Sequence, residues 1–236
     1  MQDINYRVPD ELIAKNSTSM ILSVQSSRFE QYGKIQEGLE VQDLLDKAAE
    51  ITAIPDEGNV YVPSLKELEV FKSVEKSLAP YYDHQPIQMG FCNGRNQSMN
   101  GLEYHKSPEV IMAVTECVLF LCPFDHLQDF EQVRTIDAEL FYLPKGAVVL
   151  IKANVLHLAP CMVDQRGFKS IIVLPKDTNE PLDKEEIEMR DSSPDKEDRL
   201  LFKKNKWILA HPEREQLVRE HVHVGLVGEN RSVNPL

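Results

Sequence analysis

With 236 residues, 42% of them hydrophobic and 27% charged, the chain can bury one large core or two small ones and has the composition of a globular protein. Its net charge of −12 argues against non-specific binding to nucleic acid or anionic membranes, both of which favour basic surfaces. The longest apolar runs, such as "CVLFLC", fall far short of the roughly twenty residues of a membrane span.

The opening "MQDINYRVPDELIAKNSTSM" lacks the charged and then apolar pattern of a secretory signal. Cys92, Cys117, Cys122 and Cys161 show no C-x-x-C spacing. A cytoplasmic protein with reduced thiols is expected. "SMILSVQSSRF" alternates like an early strand. "EVQDLLDKAAEI" places apolar residues at 41, 44, 45, 48 and 51, the spacing of one helix face. "SLKELEVFKSVEKSLAP" repeats that spacing at 65, 68, 71 and 74, and Ser64 with Glu67 has the form of a capping box.

From about residue 86 the texture becomes β. "IQMGF", "LEYH", "VIMAV", "CVLFL", "AELFYL", "AVVLI", "HLAPCMV" and "FKSIIVL" follow one another across short turns, the pattern of an antiparallel sandwich or barrel. Residues 176–198 carry ten acids against four bases and read as a solvated excursion rather than a partner-binding acidic tail. The stretch "DRLLFKKNKWILAHPEREQLVREHV" reads as helical, interrupted near Pro212. Three parts result: residues 1–85 as an N-terminal strand and helical segment, 86–175 as a β core, and 176–236 as an acidic connection with a C-terminal helical segment.

The chemistry concentrates in "NGLEYHKSPEV". In a strand over "LEYH", Glu103 and His105 share one face while Leu102 and Tyr104 take the other. Pro108 breaks the ladder and can turn Glu109 back toward that face. His157 lies in a second strand-like segment, "NVLHLAPC". Two imidazoles with one or two carboxylates suit Zn, Mn, Fe or Ni, against the plainer reading of a polar surface turn and a core histidine. The amide-rich stretch 87–101 offers Gln88, Asn93 and Arg95 as substrate donors, although a hairpin loop accounts for most of it. Lys106 could hold an acidic substrate beside the metal. "HVHVG", with His221 and His223, lacks a carboxylate at ligand spacing. No phosphate-binding glycine motif occurs.

The set resembles the cupin superfamily. There H-x-H precedes a glutamate by three or four residues, and a second histidine follows a P-x-G turn. Here Glu103-Tyr104-His105 stands at H-x-H, Glu109 follows, and Pro144-Lys145-Gly146 matches P-x-G, with His157 further downstream than usual. The L-E-x-H form is similar to the ureidoglycolate lyase branch. The wider set "CNGRN", "LEYHKSPEV", "PKG", "LHLAPC", "IVLPKDTN" and "HPE" resembles a bacterial family of cupin-like proteins from sugar-catabolic gene neighbourhoods.

The resemblance implies an α+β, mainly β fold: a cupin-like double-stranded β-helix, or jelly-roll barrel, with helical segments at both ends. It also implies a divalent metal on His105, Glu109 and His157. No reaction follows from the resemblance; from the chemistry of a metal beside a carboxylate, the expected activity is that of a metal-dependent isomerase, epimerase or lyase working through an enediolate on a small sugar or sugar acid. Glu103, as base or ligand, and Lys106 would be the catalytic groups. The rival expectation is a non-catalytic sugar-sensing or accessory protein. Hydrophobic sheet edges would pair two copies into a homodimer.

Overall fold

The computed structural model describes residues 4–236. The chain begins with α1 (Asp10–Lys15), β1 (Ile21–Ser23), β2 (Gly33–Ile35), α2 (Gln42–Ile51), β3 (Asn59–Val62), α3 (Lys66–Glu69) and α4 (Lys72–Leu78). The β-rich run then supplies β4 (Ile87–Gly94), β5 (Gly101–Tyr104), β6 (Glu109–Ala113), β7 (Cys117–Leu121), β8 (Val133–Arg134) and β9 (Glu139–Leu143). It continues through β10 (Val148–Ile151), β11 (Cys161–Met162) and β12 (Phe168–Pro175). The last part holds α5 (Lys184–Ser192), β13 (Leu201–Lys203), β14 (Lys206–Ala210), α6 (Glu215–Arg219), β15 (His223–Val224) and β16 (Leu226–Val227).

The fold is mixed α and β, mainly strands. A six-stranded sheet runs in the order β2-β10-β6-β12-β4-β3, and a four-stranded sheet in the order β1-β9-β7-β11. One apolar cluster draws Ile111, Ala113 and Ile172 from the larger sheet and Cys117, Leu119, Leu121 and Phe141 from the smaller. These two inner faces therefore pack against each other. Alternation sends Val110 and Met112 the other way, onto Leu44, Leu45 and Ala48 of α2 and Leu68, Val74 and Leu78 beyond it. Val118 and Phe120 of β7 likewise leave the inner layer and meet Leu102, Tyr104, Trp207 and Leu209 in an outer one. Burial on both faces explains why β6 and β7 read as unbroken apolar runs.

The turn Pro144-Lys145-Gly146 requires its glycine: Gly146 has φ +86°, and Ala147 N–H donates to Pro144 O at 3.1 Å.

Several expectations change. The helix read over residues 64–80 is two short helices, and Ser64 caps neither; its hydroxyl donates to Glu69, whose carboxylate also accepts from Met89 N–H. Ser64 and β4 thus share Glu69, two residues past the Glu67 of the expected capping box. The early strand is only Ile21–Ser23 before a helical turn at Ser27–Gln31. The acidic stretch carries α5, closed by a capping box between Asp183 and Glu186. The C-terminal helical segment is largely β: β14 pairs antiparallel with β5, Trp207 opposite Tyr104 and Ile208 opposite Glu103. Its apolar run is short, and the open ladder of β5 pairs it as a strand. Strands on either side of residue 85 pair, β1, β2 and β3 with β9, β10 and β4, and strands on either side of residue 175 pair as well, β14 with β5 and β16 with β8.

Candidate metal centre

Glu109 opens β6 opposite Ile151 of β10. Parity with Ile111 and Ala113 puts it on the inner face. On β5, Leu102 and Tyr104 are in the outer apolar layer, so Glu103 faces away from them, and His105 follows in the same parity. His157 arrives through backbone pairing. Glu103 N–H donates to His157 O at 2.6 Å, and His157 N–H donates to Glu103 O at 2.8 Å.

Two segments far apart in the chain, 103–109 and the one carrying His157, thereby deliver four side chains to one point. Relative exposures of 8% for Glu103, 2% for His105, 5% for Glu109 and 3% for His157 place them all away from bulk water. Nε2 of His105 lies 3.2 Å from Glu109 Oε2, and Nε2 of His157 lies 3.3 Å from the same oxygen. Glu103 Oε1 is 3.8 Å from His105 Nε2. Glu103, His105 and His157 can each offer a ligand atom within 4.8 Å of the others. Two triads thus share the imidazoles, one through each carboxylate.

Both rings are fixed from behind. His105 Nδ1 lies 2.5 Å from Asn205 O, and His157 Nδ1 lies 2.8 Å from Val155 O. A carbonyl only accepts, so each Nδ1 carries a proton and each Nε2 points into the cluster. This is the arrangement in which histidines bind metals. Nε2 of His105 is buried with no well-formed hydrogen bond, a costly condition for an imidazole nitrogen that no cation engages.

The electrostatics agree. Burial pulls the His157 imidazole down, but the Glu109 charge and hydrogen bond outweigh it and push the pKa up to about 9. Burial would raise the Glu109 carboxyl, yet His157 and His105 hold it below the usual carboxylate range. The cluster thus favours positive charge at its centre, and the donor set of two imidazole nitrogens and two carboxylates fits a borderline divalent cation. His105 and His157 would hold it together with a carboxylate, Glu109 or Glu103.

The other residues singled out from the sequence lie elsewhere. Lys106 points away from its neighbour His105: its ammonium donates to Glu197 at 2.9 Å and covers the Trp207 ring at 4.4 Å. Its place is on the outer layer with Tyr104, whose hydroxyl also donates to Glu197 at 2.8 Å. Asn93 has the opposite parity to Cys92 and donates to Thr52 and Ala53 beneath α2. Arg95 spends its guanidinium on the carbonyls of Pro55 and Gln165. Gln88 shares the inner parity, but its amide donates to Thr178 O and accepts from Asp177 N–H. The structure does not bring these four to the cluster as free donors.

Three residues missed in the sequence stand close to it. Lys206 forms an ion pair with Glu103 Oε2. Asn205, at φ +53°, uses its carbonyl on His105 and its side chain on Lys106 N–H, Ser107 and Thr178. Tyr61, opposite Cys92 in the ladder, accepts from Asn179. Burial and then the Glu109 charge raise its hydroxyl pKa. A strand reading of "KWILA" would have set Lys206 and Ile208 against Trp207 and Leu209; the helical reading hid that alternation. His223 is occupied by Glu131 O at 2.7 Å, and all four cysteines are buried and free.

Fold and site together define a layered β protein with a buried imidazole–carboxylate centre suited to a divalent cation. The chain belongs to the family described as "Domain of unknown function (DUF4867)", which matches residues 21–231. No curated protein matches its sequence. Among solved structures it is similar to oxalate decarboxylase from Bacillus subtilis at pH 4.6, with 12% identity and a TM-score of 0.32 over 78% of this chain and 42% of that chain. A variant of the same Bacillus subtilis enzyme shows 8% identity and a TM-score of 0.34 over 80% of this chain and 46% of that one. Fe(II)-HppE with alternative substrate (S)-1-HPP shows 13% identity and a TM-score of 0.31, covering 61% and 63% of the two chains. The chain spans between 28% and 46% of the length of such oxalate decarboxylase chains. No helix among the described residues is long and apolar enough to cross a membrane.

Proposed function

We propose that the protein is a metal-dependent enzyme of cupin type that moves a proton beside a carbonyl in a small sugar or sugar acid. The outcome would be an isomerisation, an epimerisation or an elimination. The observation that carries this reading is the convergence of His105 and His157 on Glu109 at 3.2 and 3.3 Å, each ring backed by a carbonyl. A bound divalent cation supplies Lewis acidity that polarises a carbonyl or hydroxyl pair.

The chain's own groups do the rest. His105, Glu109 and His157 hold the cation. Glu103, on the adjacent strand position, has a carboxylate able to take a proton from a substrate carbon and return it. Burial of Glu103, His105, Glu109 and His157 keeps bulk water from competing. In this reading the protein works in the cytoplasm as a homodimer.

Protein purified without chelator is tested for stoichiometric metal, then incubated with ketoses and uronates in deuterated water. Incorporation of deuterium beside the carbonyl, lost on chelation, supports the proposal. Stoichiometric metal with neither exchange nor turnover on any sugar points to the non-catalytic sugar-sensing protein. Absence of metal overturns the metal-enzyme reading.

A further inference from the structure

Two carboxylates reach the centre, and the structure distinguishes their parts. Donors in adjacent positions around one divalent cation stand roughly 3.0–3.5 Å apart at ordinary bond lengths. Glu109 Oε2 meets that condition with both imidazoles, at 3.2 and 3.3 Å. Glu103 Oε1 does not, standing 3.8 Å from the nearer ring nitrogen. Its other oxygen forms an ion pair, without well-formed hydrogen-bond geometry, with the ammonium of Lys206, whose side chain is only 15% exposed.

The ladder explains that placement. Ile208 lies opposite Glu103, while Trp207 and Leu209 lie opposite Tyr104 and Leu102 in the outer layer. Lys206 therefore shares the face of Glu103 and reaches it from one pair along the strand. A buried carboxylate held by a nearly buried ammonium is a close ion pair, and breaking it strands a charge away from water.

We infer that Lys206 is a positioning residue that holds Glu103 beside the cation rather than on it. Glu109 is then the one carboxylate ligand, and a coordination position stays open for substrate next to a free proton-accepting oxygen. This inference rests on the metal-enzyme reading above and assigns, within it, the roles of the two glutamates.

Mn(II) binding, followed by the electron paramagnetic resonance signal of free Mn(II), tests it without any substrate. Lys206→Met releases Glu103 toward the cation as an added anionic donor, and affinity rises about tenfold or more, similar in size but opposite in sign to the loss of an outer partner. The charge-neutral double variant Glu103→Gln/Lys206→Met removes the pair together and stays within about tenfold of the native protein. Glu109→Gln loses at least about a hundredfold, the upper end of that scale.

Lys206→Arg keeps the pair and the native affinity, which separates positioning from a general need for a folded β14. A double variant that loses tenfold or more makes Glu103 a ligand and overturns the inference. So does a folded Lys206→Met protein whose affinity is unchanged or weaker. Should Lys206→Met not fold, the double variant decides alone. A native protein that binds no Mn(II) at all removes the metal-enzyme reading itself, a different result from either.

Discussion

Glu103 and His157 exchange backbone hydrogen bonds in both directions, at 2.6 and 2.8 Å, and this single antiparallel bridge joins the two halves of the candidate metal centre. One ring nitrogen from each half then meets Glu109.

The centre needs both rings. His105→Ala and His157→Ala are each expected to lose stoichiometric metal, measured by elemental analysis of protein purified without chelator. Retention of full metal by either variant removes that imidazole from the donor set. The loss should occur without unfolding, checked by far-ultraviolet circular dichroism.

Metal should also stabilise the fold, because its donors come from two segments, 103–109 and the one carrying His157, that are apart in the unfolded chain. At a free metal concentration a hundred times the Kd, binding to the folded state alone adds about 2.7 kcal/mol. Chelation should therefore lower the melting temperature of the native protein and leave that of His157→Ala unmoved. An equal shift in both would show that the chelator acts elsewhere.

The acidic excursion is tied down at Glu197, which accepts from Tyr104 at 2.8 Å and from Lys106 at 2.9 Å. Glu197→Ala leaves the buried Tyr104 hydroxyl without its acceptor, at a cost of about 1–3 kcal/mol. Urea denaturation should show that loss, and limited proteolysis should cut faster between residues 184 and 198. Unchanged cleavage would mean that α5 is held by other contacts.

Two core-related substitutions separate backbone from packing. Gly146→Ala forces a Cβ into the left-handed region, since Gly146 has φ +86°, and should cost roughly 1–2 kcal/mol. Phe141 is fully buried between the sheets, against Phe29 at 5.3 Å and Tyr32 at 5.2 Å; Phe141→Ala should cost about 3–5 kcal/mol. Lys145→Ala, at the exposed tip of the same turn, should stay within about 0.5 kcal/mol. Chemical denaturation of the three variants gives the order.

Much of this is legible in the sequence alone. The apolar runs of β4, β6, β7, β9, β10 and β12 stand where "IQMGF", "VIMAV", "CVLFL", "AELFYL", "AVVLI" and "FKSIIVL" place them, and α2 covers Gln42–Ile51 as its spacing indicates. The common face of Glu103 and His105 follows from alternation, and the turn at Gly146 from its local chemistry. These signals need only near neighbours: a period of two, a period of 3.6, a residue tolerant of positive φ.

Tertiary structure alone decided the rest. The meeting of His157 with Glu103, the pairing of β14 with β5, and the approach of Lys206 rather than Lys106 to the cluster all depend on which distant edge accepts which strand. Periodicity alone does not separate helix from strand in a short apolar segment such as "KWILA". The unpaired ladder of β5 made it a strand, and a lysine ordinary in sequence became the partner of a buried carboxylate. Periodicity assigns the face of a side chain, whereas hydrogen bonding between remote backbones assigns what that face will meet.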